Sequence, residues 1–228
     1  TGDSVWKVNR PHNFGTDNGD LKKAYATAQV IEAGGRQQLI VPTSKGAFSY
    51  NPLTGEELWR VRYEGFSTAA RPLLAEGLLY LSSGFSKAEF LAIDPTGSGD
   101  VTETHVRWIE KKSMPSKPSP LYADGCLFLI HDQGVATCLD AATGKEVWQS
   151  RVGGNYSASP ILGDGKIYFA SEEGKVTVVA AKRDYEVLGE NQLDAGIMAS
   201  PAVADNALLL RTATHLYRVQ DAVPAAGP

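Results

Sequence analysis

One phrase recurs along this chain of 228 residues, and the recurrence constrains the fold more than any other feature. "DAATGKEVWQS" occupies residues 140–150, "NPLTGEELWRV" residues 51–61, and the chain opens with "TGDSVWKV". The landmarks are Thr1, Gly2 and Trp6, then Thr54, Gly55 and Trp59, then Thr143, Gly144 and Trp148. With Trp108 added, the tryptophans Trp6, Trp59, Trp108 and Trp148 lie 53, 49 and 40 residues apart. Prolines keep similar time: Pro72, Pro120, Pro160 and Pro201 are separated by 48, 40 and 41 residues, and Gln29 takes the place of a proline in an earlier copy. Two independent landmarks share a period near 40, the mark of an array of supersecondary units. The long intervals contain insertions, residues 10–25 and 95–106.

Each period holds four short apolar runs, which in one copy read "ASPILG", "KIYFAS", "KVTVVAA" and "EVLGENQL". They are too short for helices, rich in Val, Ile, Tyr and Phe, and bounded by Gly, Asp and Asn, which is strand and hairpin chemistry. No run of ten or more residues shows 3.6-residue periodicity. Four antiparallel strands repeated about every 40 residues predict an all-β chain of β-propeller blades. One blade cannot bury both of its faces alone, so blades must stack on their neighbours. The tryptophan, just inside the fourth strand, is expected to fill the gap between blades that diverge toward the rim. Thr-Gly makes the turn into that strand, with glycine supplying positive φ. Proline at the start of the innermost strand removes a ladder donor where the loss is tolerable.

Composition excludes several classes. The net charge of −4 comes with no long block of one sign, which argues against a nucleic-acid partner. No stretch approaches 18 consecutive apolar residues, so no membrane span is expected. The chain begins with Thr inside a repeat phrase, and an upstream segment is expected. Cys126 and Cys138 lack metal-site spacing. They read as two buried small hydrophobes, with a cross-strand disulfide as the alternative. His12, His105, His131 and His215 show no metal pairing and read as structural or surface residues. "TDNGD", residues 16–20, reads as a solvated loop rather than a calcium loop, because it lacks the spacing and terminal Glu of an EF-hand. The basic, proline-punctuated "EKKSMPSKPSP", residues 110–120, reads as an inter-blade loop. Serines in "KPSP" and "SASP" sit at strand starts without a nucleophile elbow.

"GVATCLDAATGKEVWQSRVGG", residues 134–154, resembles the repeat of pyrroloquinoline-quinone-type propellers, written loosely G-x-x-x-x-L-D-x-x-T-G-x-x-x-W. The resemblance runs over about residues 26–220. It is strong in the copies ending at Trp59 and Trp148, weaker where an insertion splits Thr96-Gly97 from Trp108, and degenerate in "VVAAKRDYEVLGE". The chain is also similar to the C-terminal half of secreted planctomycete-type propeller-repeat proteins. These resemblances imply a periplasmic or extracellular location. The family divides into quinone-dependent alcohol dehydrogenases and cofactor-free docking scaffolds. The dehydrogenases carry a vicinal cysteine pair beside the quinone, whereas Cys126 and Cys138 are twelve residues apart.

The copies divide the chain, read as one propeller domain, into blades near 26–65, 66–115, 116–156, 157–196 and 197–220, with a tail at 221–228. The last blade lacks a fourth strand, and a spare fourth-strand phrase lies within residues 3–10. Either residues 4–9 pair beside 214–219 to close a five-bladed ring, or the chain is part of a seven- or eight-bladed one. Propeller ligands meet the axial channel or the loops at one face. The innermost strands start near Tyr25, Ser67, Lys117 and Tyr156, which are the candidate channel-mouth residues. No catalytic or metal-ligating set emerges. The expectation is a non-catalytic exported scaffold that needs no cofactor and binds a protein at a propeller face or a small ligand in the channel. The alternatives are a quinone-dependent alcohol or sugar dehydrogenase, with pyrroloquinoline quinone and calcium, and a carbohydrate- or peptide-binding sensor domain. Aromatic residues clustered on one loop face would favour the sensor.

Overall fold

The computed structural model describes residues 2–9, 13–86 and 88–220. Among these residues twenty strands make five sheets, with one short 3-10 helix, η1 (Gly19–Lys22). The first blade is β1 (Gln29–Ala33), β2 (Arg36–Thr43), β3 (Gly46–Tyr50) and β4 (Glu57–Arg62). The second is β5 (Leu73–Ala75), β6 (Leu78–Ser82), β7 (Phe90–Ile93) and β9 (Val106–Glu110), with β8 (Gly99–Asp100) in the insertion before β9. The third is β10 (Leu121–Ala123), β11 (Cys126–Ile130), β12 (Val135–Asp140) and β13 (Glu146–Arg151). The fourth is β14 (Ile161–Gly163), β15 (Lys166–Ala170), β16 (Lys175–Ala180) and β17 (Val187–Gln192). The last holds β18 (Ala202–Ala204), β19 (Ala207–Arg211) and β20 (Leu216–Val219). All consecutive pairs within a blade are antiparallel.

The middle strands are buried on both faces, and strand alternation sends successive residues to opposite neighbours. Leu79 and Leu81 pack toward the first blade, whereas Tyr80, between them, packs with Leu127 and Leu139 of the third. Four such apolar clusters join the five blades in succession, and among the described residues none joins the last blade to the first. Residues 2–9 form no strand, and among the described residues β20 has no outer partner. The closing of a five-bladed ring by residues 4–9 is therefore not what the molecule does. The blades form an open arc, with Met198, Val203 and Leu216 exposed on the last blade.

The tryptophans show what the repeated phrase is for. Trp6 donates its indole N–H to the Pro52 carbonyl at 2.9 Å, Trp108 to that of Ala141 at 3.1 Å, and Trp148 to that of Lys182 at 3.2 Å. Pro52 and Ala141 occupy the same place in the turn between third and fourth strands, one residue past Asn51 and Asp140, and Lys182 lies one residue further along the corresponding turn. The equivalent carbonyl in the second blade is that of Pro95, and Trp59 reaches it through a relay. Its N–H donates to Gln38 Oε1 at 2.7 Å, and Gln38 Nε2 donates to Pro95 O at 2.9 Å. The glycine of Thr-Gly has a second duty besides its turn. A Cβ on Gly55 would lie 2.6 Å from the Trp6 ring, and one on Gly144 2.6 Å from Trp108. Each glycine is the seat of the preceding blade's tryptophan. In the first three blades the register between third and fourth strands skips the residue before the tryptophan, Leu58, Arg107 and Val147, and in the fourth it skips Leu188, before Gly189. A bulge there re-aims the side chain that follows.

The insertions have structural roles. Residues 95–106 supply β8, which pairs parallel to β4 and caps the open edge of the first blade, with Val101 buried beneath it. A covered edge cannot recruit a foreign strand. Asp94, Asp100 and Asp140 hold their turns by accepting from the hydroxyls of Thr96, Thr102 and Thr143, which keeps each carboxyl below the usual range. Cys126 and Cys138 are free and buried. Cys126 lies opposite Asp140 and Cys138 opposite Phe128, so the two thiols are diagonal neighbours. Burial, reinforced by the Cys126 thiol, pushes the Cys138 thiol far up.

Candidate functional site

The face where the inner strands begin is built by a run of local contacts. The serine before each strand-starting proline ties one blade to the previous one. Ser119 Oγ accepts from Arg71 N at 3.0 Å, Ser159 Oγ from Ser119 N at 2.9 Å, and Ser200 Oγ from Ser159 N at 2.9 Å. This belt explains the serines of "KPSP" and "SASP" as blade-to-blade fasteners, and it fixes how closely the inner edges approach.

Above this belt, the first three blades leave a cleft of about 1180 Å³. Tyr25, Ser67 and Lys117 line it, with Phe66, Phe85 and Met114. Tyr156 does not. It is fully buried in the core between the third and fourth blades, where burial pushes its phenol up to about 12. Its position at a strand start was legible, but the inward direction of its side chain depended on a neighbouring blade.

Residues 13–25 of the insertion make one wall, with Asp20, Lys23 and Tyr25 on the cleft. The oxygens of its "TDNGD" stretch are spent internally: Asn18 Oδ1 caps η1 by accepting from Asp20 N at 2.9 Å, and Thr16 Oγ1 accepts from Asn18 N at 3.1 Å. Among the described residues no group of three or more His, Cys, Asp and Glu side chains converges on a metal position. The wall is tied down by Ser44 Oγ donating to Leu21 O, Ser67 N donating to Lys23 O, and Tyr25 N donating to Thr68 O at 2.7 Å. Phe66 and Phe85 form an edge-to-face pair with centroids 5.7 Å apart, joined by backbone hydrogen bonds. Phe85 and Tyr25 are 59% and 64% exposed, so both aromatic rings are offered to solvent at the cleft.

Charges around the cleft are matched. Lys23 pairs with Asp20, Lys111 with Glu89 at 2.6 Å, and Lys117 lies 3.5 Å from Glu172 and 3.8 Å from Asp132. The hydrogen bond between Lys23 and Asp20 lowers the carboxyl and raises the ammonium from their ordinary values. His131 also lines the cleft, and its Nδ1 accepts from Gln133 N at 3.1 Å. The neutral ring therefore carries its proton on Nε2. His105 bonds Thr104 and His215 pairs with Asp194, both away from the cleft, and His12 lies outside the described residues, as does Thr1.

Backbone conformation singles out the same place. Among the described residues nine non-glycine residues have positive φ. Lys45, Glu76, Asp124, Asp164, Asp205 and Asn206 occupy two-residue hairpin turns, which demand that conformation. The other three are Ser67, Ser86 and Ser113, at φ 52°, 65° and 57°, and all three line the cleft. Left-handed non-glycine residues cost about 1–3 kcal/mol each and gather where a binding surface needs a particular loop shape. Sequence reasoning missed Ser86 and Ser113 because nothing in the composition of these loops signals left-handed serine.

Stacked antiparallel blades with an indole rivet between neighbours define a propeller-repeat protein with an open cleft on one face. The model of the family described as outer membrane protein assembly factor BamB matches residues 1–222, and the chain belongs to that family. It is 28% identical over 143 residues to the tetrathionate hydrolase of Acidithiobacillus ferrooxidans, covering 54% of this chain and 29% of that protein. It is 26% identical over 91 residues to the BamB of Marinobacter adhaerens, covering 40% of this chain and 23% of that one. The crystal structure of BamB from Moraxella catarrhalis superposes with a TM-score of 0.62 at 17% identity, covering 81% of this chain and 55% of its own. The chain thus spans about half the length of that structure and less than a third of the two curated relatives. No helix among the described residues is long and apolar enough to cross a membrane.

Proposed function

We propose that this chain is a non-catalytic binding scaffold of the cell envelope, exported to the periplasm or beyond, that docks a protein at the cleft of its first three blades. The carrying observation is the cleft itself, with solvent-facing aromatics and three left-handed serines on loops of a rigid blade framework. Membership of a family named for outer membrane protein assembly supports the reading. In it the chain works without a cofactor. A sensor domain for a carbohydrate or peptide is a second reading, favoured by the grouping of Tyr25, Phe66 and Phe85 on one loop face.

The test places a photo-crosslinking residue at Phe85 in cells, with one at the exposed, rim-facing Leu53 as a control. Discrete adducts with envelope proteins from position 85 and none from position 53 are expected. Equal labelling from both positions, or none from position 85, overturns the docking role. Titration of the folded protein with pyrroloquinoline quinone and calcium is expected to leave tryptophan fluorescence unchanged. Saturable, calcium-dependent quenching would replace the scaffold with a quinone enzyme.

A further inference from the structure

Resting on that reading, we infer that the ligand of the cleft is an uncharged segment of polypeptide bearing aromatic side chains. Four observations converge. The first is size: about 1180 Å³ exceeds the roughly 300–1,000 Å³ of small-molecule pockets. Several residues of a peptide fill such a volume, whereas a single small ligand leaves much of it wet.

The second is charge. Lys23, Lys111 and Lys117 each already face a carboxylate. An acidic or phosphorylated ligand would have to displace those partners, and a basic one would meet ammonium groups at the rim. Complementarity to a self-neutralised rim is neutrality. The third is the stock of unspent hydrogen-bonding groups. The hydroxyls of Ser67, Ser86 and Ser113 and the Nε2–H of His131 have no partner among the described residues, while the carboxylates Asp20 and Asp132 are engaged. Hydroxyl and imidazole N–H groups match the amide N–H and C=O of a peptide backbone.

The fourth is the apolar part. Phe85 and Tyr25 stand exposed at the opening, Phe66 meets Phe85 edge to face, and Met114 lies buried in the floor. Aromatic pairs in offset or edge-to-face geometry contribute about 0.5–1.5 kcal/mol beyond area burial, and a methionine floor adapts to different side chains. Such a surface selects aromatic character and tolerates variation in sequence.

The probe is an N-acetylated, C-amidated, fluorophore-labelled nonapeptide of Ser, Thr and Gly with Phe at alternate positions, followed by anisotropy against the full chain. Saturable binding is expected, at least tenfold weaker when Ala replaces every Phe or when Glu replaces every Thr. Phe85→Ala and Tyr25→Ala, both at exposed positions, should each weaken it about fivefold, Tyr25→Ala with an unchanged melting temperature. No saturation, equal affinity for the Ala peptide, indifference to both variants, or tighter binding of a glucan hexasaccharide each overturns the assignment. If the crosslinks from position 85 persist while these peptides fail, docking stands and the ligand class falls. If both fail, the scaffold reading falls with it.

Discussion

Gly144 and Gly153 share a positive φ, 72° and 77°, but not the same surroundings. Nothing lies within 4 Å of a Cβ placed on Gly153, whereas one on Gly144 collides with the Trp108 indole. Gly153→Ala should cost only the left-handed penalty of about 1–2 kcal/mol. Gly144→Ala should cost clearly more, because the indole must also leave its carbonyl. Urea unfolding of the two variants measures the difference, and equal midpoints would show that the seat contributes nothing. Gln38 allows a second test. It serves the Trp59 N–H, the Ser49 hydroxyl and the carbonyls of Ala33 and Pro95, all from a fully buried position. Gln38→Ala strands several of them, and each buried unsatisfied group costs about 1–3 kcal/mol. A loss of about 3 kcal/mol or more is expected, and a loss under 1 kcal/mol would mean the relay is dispensable.

At the scale of the element, the turn between third and fourth strands carries its own pH dependence. The Thr143 hydroxyl, and then Arg183, hold the Asp140 carboxyl below its ordinary value. Because the folded value is lower than the unfolded value of about 3.9, the unfolded chain binds more protons in that window. The stabilisation is complete above the unfolded value and is lost as pH falls through the folded one. Thr143→Val removes the larger cause and returns the carboxyl toward its ordinary range. The fall in stability as pH drops below about 4 should become shallower than in the parent chain, as read from urea midpoints in that acidic range. An unchanged slope would mean that Arg183 alone sets the carboxyl. The fourth blade shows the same element without the motif: it has "AKRDY" in place of the Asp-to-Gly turn, and Tyr185 takes the seat, 5.0 Å from the Trp148 ring. A repeat can lose its signature where an aromatic from the turn substitutes for the glycine platform.

For the whole molecule, the consequence of five blades joined by four clusters is an exposed end. Met198, Val203 and Leu216 are 65%, 58% and 73% exposed, and among the described residues the β20 edge is unpaired. Apolar patches and open edges of this kind drive association. The 228-residue chain should therefore show concentration-dependent self-association in light scattering, reduced by Leu216→Lys and Val203→Lys. A monomer at every concentration would show that this end is not adhesive. The cleft lies on the first three blades, away from this end, so association there need not block it.

The sequence alone determined the blade. Its period, its strand patterning and its Thr-Gly and tryptophan landmarks are local or recur at a fixed spacing, and local chemistry needs no partner to be read. It also placed Tyr25, Ser67 and Lys117 at strand starts, from which the cleft could be approached. The tertiary structure decided the rest. Trp6 could serve as a closing strand or as a rivet, and only the first blade's Pro52 carbonyl distinguishes the two. Tyr156 turned inward because a fourth blade covers it, and Gln38 became a relay because it lies buried within hydrogen-bond reach of both Trp59 and Pro95 of the next blade. Ser86 and Ser113 took left-handed conformations through loop packing that no residue type announces. The rivet and the relay depend on contacts between segments 46 and 57 residues apart, and burial and relay are properties of those contacts rather than of the segments that make them.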